Sequence, residues 1–396
     1  MHQPRPARHR LTALLLAVGH GGVDCYQGMV AALVPVFVLE RGYSLPAAGG
    51  LVFAASLTSS VVQPLFGLLG DRRPARWIVP VSVLVTGAGI GALGLVGEPW
   101  LVFLLVALSG IGIAAFHPAA ARLARELSGG DHVQMSWFAL GGNIGFAVAP
   151  FLVAGTVGAL GLAASPLLIM PAAVALIMVL GCLRTHRAAT SGTPLTRTAA
   201  SLAAEDRRSF GRLTVAIMAR SIIFVGLGSF IALYAQQDPA LGPAGGTGAL
   251  FVLYLGGAFG TVLGGRLARR WPRTRILRWS YLLTAPAMVG LVLAPGAIRL
   301  IFVAVVSFLL YVPFSLHLTL AQDYLPRHVG TASGVTLGLA VSVGGLASPA
   351  LGVLAEQIGL TGALLSLIIV AGLAWLALRR LPEPQPLTSP LGQGTS

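Results

Sequence analysis

Twelve apolar stretches, most of them near 20 residues long, follow one another along this chain, and short polar segments rich in arginine separate them. Their bounds are about 11–39, 47–70, 77–96, 100–121, 133–159, 166–183, 213–235, 247–268, 276–294, 298–320, 331–355 and 362–378. Runs of about 20 apolar residues match the thickness of a bilayer's hydrocarbon core. A spanning segment must satisfy its own backbone, so it is a helix or part of a closed barrel. Strict alternation of apolar and polar positions is absent, so the pattern predicts helices. The expected fold is an all-α integral membrane protein of twelve transmembrane helices.

The polar segments divide the chain. Residues 1–10 form an N-terminal tail, 11–183 a first six-helix bundle, 184–212 a polar central loop, 213–380 a second bundle, and 381–396 a proline-rich tail expected to be disordered. Arg5, Arg8 and Arg10 precede the first apolar run as in a signal peptide, but the run is too long for one and reads as an uncleaved helix. Of the 26 basic residues, all arginine, 23 fall in the tails and in every second loop. The bias of arginine toward the cytoplasmic side places both termini there.

The halves echo each other. Gly67-Leu68-Leu69-Gly70-Asp71-Arg72-Arg73-Pro74-Ala75-Arg76 returns 198 positions later as the stretch from Gly265 to Arg275. Gly145 and Pro150 in the fifth stretch return 199 positions later as Gly344 and Pro349. Such spacing indicates two repeats of one design. Small residues permit close helix contact, and proline permits a bend.

Composition sharpens this picture. Hydrophobic residues make up 56% and charged residues only 10%, against about 25% charged in soluble proteins. The net charge of +14 suggests nucleic acid, but the arginines sit in loops between apolar runs rather than on one soluble face, so no nucleic-acid partner is expected. Cys25 and Cys182 lie inside apolar runs, with no disulfide framework or zinc spacing.

Ionisable residues inside spanning helices are costly and default to function. Here they are His20, Asp24, His117, Arg220 and His317. His20, Asp24 and Gln27 share one helical stripe. A buried carboxylate beside an imidazole can handle a proton; a hydrogen-bonded pair that only locks two helices is the alternative. A metal would find at most two ligands on this helix. Arg220 is placed to fork an anion, or to snorkel to the interface. His117 and His317, 200 positions apart, either face a shared cavity or bond a backbone carbonyl at a helix end.

The loop stretch Gly67–Arg76 resembles the Gly-x-Leu-Ala-Asp-Arg-x-Gly-Arg-Arg signature of the major facilitator superfamily. The resemblance implies two pseudo-symmetric six-helix bundles, a cavity lined by helices 1, 4, 7 and 10, and a conformational latch at Gly67, Asp71, Arg72 and Arg76. The second copy has Arg269 in the acid's place, so the resemblance implies only the N-terminal latch. Ala149 and Ala154 depart from the antiporter pattern of the fifth helix. Three further stretches resemble the fosmidomycin resistance branch of drug:proton antiporters: His20-x-x-x-Asp24; Phe116-His117-Pro118 through Gly141-Gly142-Asn143; and Ala321-Gln322-Asp323-Tyr324 through Gly344-Gly345.

The function expected is proton-coupled export of a small anionic or amphiphilic compound, with import or uniport of a metabolite on the same fold as the alternative. Asp24 and His20 would carry the proton. Arg220, Gln27, His117, His317 and Asn143 would contact cargo. Gly145, Pro150, Gly344 and Pro349 would bend helices. No catalytic set is legible, and an embedded enzyme or a sensor fits poorly. The expected partners are a small-molecule substrate, protons and the lipid bilayer, with no cofactor, no metal and a monomeric protein.

Overall fold

The computed structural model describes residues 7–72, 77–128, 132–187, 205–326, 328, 332, 335–336 and 340–384. Among these residues every regular element is helical. The first half consists of α1 (Ala7–Arg41), α2 (Leu45–Arg72), α3 (Ile78–Gly91), α4 (Pro99–Ser128), α5 (His132–Val153) and α6 (Met170–Arg187). The second consists of α7 (Arg207–Gln236), α8 (Ala244–Leu267), α9 (Arg273–Leu293) and α10 (Gly296–Tyr324), then α11 (340–358) and α12 (360–378), one rod divided by non-helical backbone at Gly359. At 35 residues, α1 reaches about 52 Å, more than enough to cross a bilayer.

The duplication is written into the backbone. Gly42 after α1 and Gly242 after α7 both adopt positive φ, at 64° and 59°. Gly161, between α5 and α6, has φ 80° and ψ 167°, and Gly359 repeats it at φ 76° and ψ 163°. Only glycine takes these conformations without strain, so the same residue turns the chain at matching points of each half.

Packing repeats as well. α1 lies against α5, and α7 against α11. A Cβ at Gly145 would collide with the Gly21 carbonyl, and one at Gly344 with the Ser221 side chain and carbonyl. These contacts bring backbones together where side chains would hold them apart. Pro150 lies within α5, which passes through a π turn at Ala154–Gly158, and Pro349 lies within α11. The spans of α1 and α7 are 67% and 72% buried, against 33–50% for the other long spans. These two helices are therefore the axial members of their bundles.

The halves meet from mid-depth to the arginine-poor end. Gly49 of α2 abuts the Ser348 carbonyl of α11, and Gly352 abuts Leu45. The Leu45 N–H donates to Glu356 Oε1 at 3.1 Å. Across α5 and α8, Phe146 stands 5.3 Å from Tyr254, and Phe151 stands 4.9 Å from Phe251, between ring centroids. At the same end Arg299 pairs with Asp238 at 2.9 Å, tying the turn before α8 to the start of α10. At the opposite end the chain runs past α12, and Leu381 is fully buried in a second hydrophobic cluster of α7, α9, α10 and α12.

Candidate functional site

α1 and α4 bring three ionisable groups together. Asp24 Oδ2 lies 3.2 Å from His20 Nε2, and Asp24 Oδ1 lies 3.0 Å from His117 Nε2. The i, i+4 spacing sets the first pair. The second needs α4, which carries His117 at the turn before Pro118.

Both imidazoles are fixed through their other nitrogen. His20 Nδ1 is 2.8 Å from the Phe138 carbonyl, and His117 Nδ1 is 2.8 Å from the Ile113 carbonyl. A carbonyl oxygen only accepts, so each Nδ1 carries its hydrogen and donates. Each Nε2 is then bare unless a further proton is bound. With none, two lone pairs face a carboxylate. One proton satisfies one contact, and a second satisfies both. The Asp24 side chain is 9% exposed, that of His20 8% and that of His117 26%, so His117 is the open edge of the cluster.

α5 builds its floor. The Phe138 ring stacks on His20 at 4.0 Å with an interplanar angle of 8°. A Cβ at Gly142 would strike Asp24 Oδ2 and come within 2.8 Å of His20 Cε1. Glycine at this position makes room for the carboxylate.

The second half holds a cation. Arg220 of α7 is buried, and its Nε donates to the Leu310 carbonyl at 2.7 Å. Its guanidinium carbon lies 4.9 Å from the Tyr311 ring centroid, 4.7 Å from Phe314 and 5.8 Å from Phe224. The break in α10 explains the arrangement. Pro313 has no N–H to give the Leu309 carbonyl, and the Ser280 hydroxyl takes that oxygen instead. The opened turn turns Tyr311 and Phe314 onto Arg220. Among the described residues no carboxylate pairs with Arg220, in contrast to Arg273 and Arg299.

His317 is buried on α10, three residues beyond Phe314. Its Nε2 is 3.4 Å from the Tyr281 hydroxyl, which itself donates to the Ala216 carbonyl at 3.0 Å. Gln27 is half-buried one turn beyond Asp24, and Asn143 is half-buried beside Gly142. Gly67, Asp71 and Arg72 belong to the last turns of α2, but their side-chain surroundings, and Arg76 altogether, lie outside the described residues.

Sequence reasoning therefore named Asp24, His20 and Arg220 but separated His117 from them. It did not single out Phe138, Tyr311, Phe314 or Phe224. Phe224 stands four residues beyond Arg220, a spacing that could have flagged it. Nothing local in the sequence points to Phe138.

Relatives agree with this architecture. The family model described as Major Facilitator Superfamily matches residues 16–349. An uncharacterized MFS-type transporter of Bacillus subtilis, YfnC, is 30% identical over 94% of this chain and 93% of its own. The fosmidomycin resistance protein of Escherichia coli is 28% identical over 86% of each chain. Among solved structures, a bacterial homologue of the human lysosomal transporter Spinster, inward-facing and unoccupied, superposes with a TM-score of 0.75 at 16% identity, covering 95% of this chain and 98% of that one. The fucose:proton symporter of E. coli superposes with a TM-score of 0.61 at 13% identity over 94% of this chain and 98% of that one. The chain is a multi-pass membrane protein of the Major Facilitator Superfamily, a family of transporters rather than enzymes.

Proposed function

We propose that this chain is a proton-coupled exporter of a small anionic or amphiphilic compound, working as a monomer in a bacterial cytoplasmic membrane with both termini inside. The observation that carries the reading is the Asp24 cluster, where two imidazoles present bare Nε2 atoms to one carboxylate. That cluster has use for one or two protons. Arg220 supports the cargo side, since it is a buried cation caged by rings with no carboxylate among the described residues. The named relative that confers fosmidomycin resistance makes a phosphonate drug a reasonable first probe.

In this account the proton resides on Asp24, His20 and His117, with His117 belonging to the proton site rather than to the cargo. The anionic end of the cargo takes Arg220, and Gln27, Asn143 and His317 line the path. Cargo and proton exclude each other when a donor on the cargo hydrogen-bonds to the Asp24 carboxylate in place of an imidazolium. Coupling is then a difference in cargo affinity between protonated and deprotonated states. The halves touch at the arginine-poor end, which corresponds to an inward-facing state under the predicted orientation. Gly67, Asp71, Arg72 and Arg76 would latch the opposite state, and Gly145, Pro150, Gly344 and Pro349 would let α5 and α11 flex.

The test is expression in a pump-deficient bacterial host, with fosmidomycin and a panel of small anions at two external pH values. The expected result is lower accumulation of at least one compound, more so at acidic external pH. Accumulation that rises with expression for that compound would make the chain an importer.

A further inference from the structure

The second copy of the loop signature lacks its acid, yet it is not left unpaired. Arg273, at the start of α9, holds two carboxylates at once. Its terminal NH2 nitrogen meets Asp323 Oδ2 at 2.7 Å, and its Nε meets Glu383 Oε1 at 2.9 Å. Asp323 lies at the end of α10, while Glu383 comes from the chain beyond α12. The other oxygen of Glu383 accepts the Thr274 N–H and the Thr274 hydroxyl, both at 2.9 Å. Glu383 thus closes the N-terminus of α9, where a negative charge is favoured.

The segment that delivers Glu383 is itself held. Arg278 donates from Nε to the Leu378 carbonyl at 3.0 Å and from a terminal nitrogen to the Leu381 carbonyl. The Tyr324 hydroxyl donates to the Pro382 carbonyl. Leu381 is buried beside Tyr324 and Leu378. Burial works against the charge of Glu383, but the Thr274 N–H and the Arg273 and Thr274 side chains outweigh it, and the carboxyl stays below its ordinary range.

We propose that Glu383 is a positioning residue for transport: through Arg273 and Asp323 it fixes the end of α10, the helix that carries Tyr311, Phe314 and His317 around Arg220. The acid missing from the second loop signature is supplied from the chain beyond the last helix. α9, α10 and the segment after α12 then move as one body, and the ring cage keeps its place on Arg220 as the halves rock. The inference rests on Arg220 being the cargo site.

The test uses the full chain in lipid nanodiscs. Hydrogen–deuterium exchange is followed in residues 314–324 and in the first turn of α9 for wild type, Glu383→Gln, Glu383→Asp and Arg273→Ala. Glu383→Gln should raise exchange in 314–324 by ~10-fold, the scale expected for losing a charge-assisted bond. Glu383→Asp should recover most of the protection. In the Arg273→Ala background, Glu383→Gln should add less than about 2-fold, because both act through one guanidinium. In proteoliposomes the KM for fosmidomycin should rise with the exchange in 314–324. If exchange rises only in the first turn of α9 and 314–324 stays as in wild type, Glu383 is a helix cap and the proposal is wrong. Should Glu383→Gln fail to insert, Asp323→Asn tests the same link from its other side. Arg220→Ala separates the two readings. An unchanged KM there removes the cargo site, whereas exchange in 314–324 judges Glu383 on its own.

Discussion

His117 Nε2 stands 3.0 Å from Asp24 Oδ1, on the oxygen that His20 does not face. Each carboxylate oxygen therefore has its own imidazole, one from α1 and one from α4. Asp24 is shared between two helices, and a change in its proton content alters the contact between them. His117→Ala should leave His20 and Asp24 as a closed pair without the exposed edge. Transport of fosmidomycin in proteoliposomes is expected to slow by ~100-fold, the lower end of what a positioned proton-transfer group contributes. A rate within twofold of wild type would remove His117 from the proton site.

Gly142 gives a steric test. A methyl group there meets both Asp24 and His20, and overpacking of this kind costs about 1–3 kcal/mol. Gly142→Ala should abolish transport and lower Tm in detergent. Gly372 is the control, because nothing lies within 4 Å of a Cβ at that position of α12. Gly372→Ala should transport normally and gain up to about 1 kcal/mol from better helix propensity. Equal behaviour of the two variants would mean that α5 does not approach the carboxylate as described.

Arg220 can be separated into charge and shape. Arg220→Ala should weaken fosmidomycin binding by ~10-fold or more, since a charge-assisted fork is lost. Arg220→Lys keeps the charge but loses the planar fork and its stacking on Tyr311 and Phe314, so it should recover binding only in part. Binding by isothermal titration is the check, and full recovery in lysine would reduce the site to a point charge.

Part of the site is legible in the sequence. Asp24 and Arg220 stood out because burying a charge in a spanning helix is costly and a sequence rarely does it without use. The pairing of Asp24 with His117 was not legible, because the two stand 93 positions apart and their meeting depends on how α4 rotates against α1. The role of Phe138 was hidden for a similar reason: a backbone carbonyl carries no sequence signal. Arg269 stands where the first copy of the loop signature has its acid. The acids that serve Arg273 instead lie at Asp323 and Glu383, far along the chain, and no local pattern joins them. The order at 381–384 comes from contacts of Leu381 and Glu383 with α9 and α10, which a proline-rich composition does not reveal.

Asp238 provides a pH test outside the membrane. The N–H groups of Gly296 and Ala240, and then Arg299, hold its carboxyl below the ordinary range. A depressed carboxyl contributes stability above its unfolded pKa of about 3.9 and loses it as pH falls through the folded value. Asp238→Asn should therefore lower Tm at neutral pH, and the gap to wild type should narrow only as the pH drops below about 4. A gap that closes between pH 8 and 6 would point to another group.

The central claim is that the cluster of Asp24, His20 and His117 holds the coupling proton and that the Asp24 carboxylate is indispensable to it, and one measurement addresses this directly. Wild type and Asp24→Asn are reconstituted in proteoliposomes, loaded with fosmidomycin, and compared in exchange and in movement against an imposed pH gradient. Asparagine keeps the size of the carboxyl but has no charge to hold a proton on either imidazole and none of its own to release. The account predicts that Asp24→Asn still exchanges cargo across the membrane while accumulation driven by the pH gradient disappears. An Asp24→Asn protein that still drives cargo against its concentration gradient, with protons moving the other way, would contradict it.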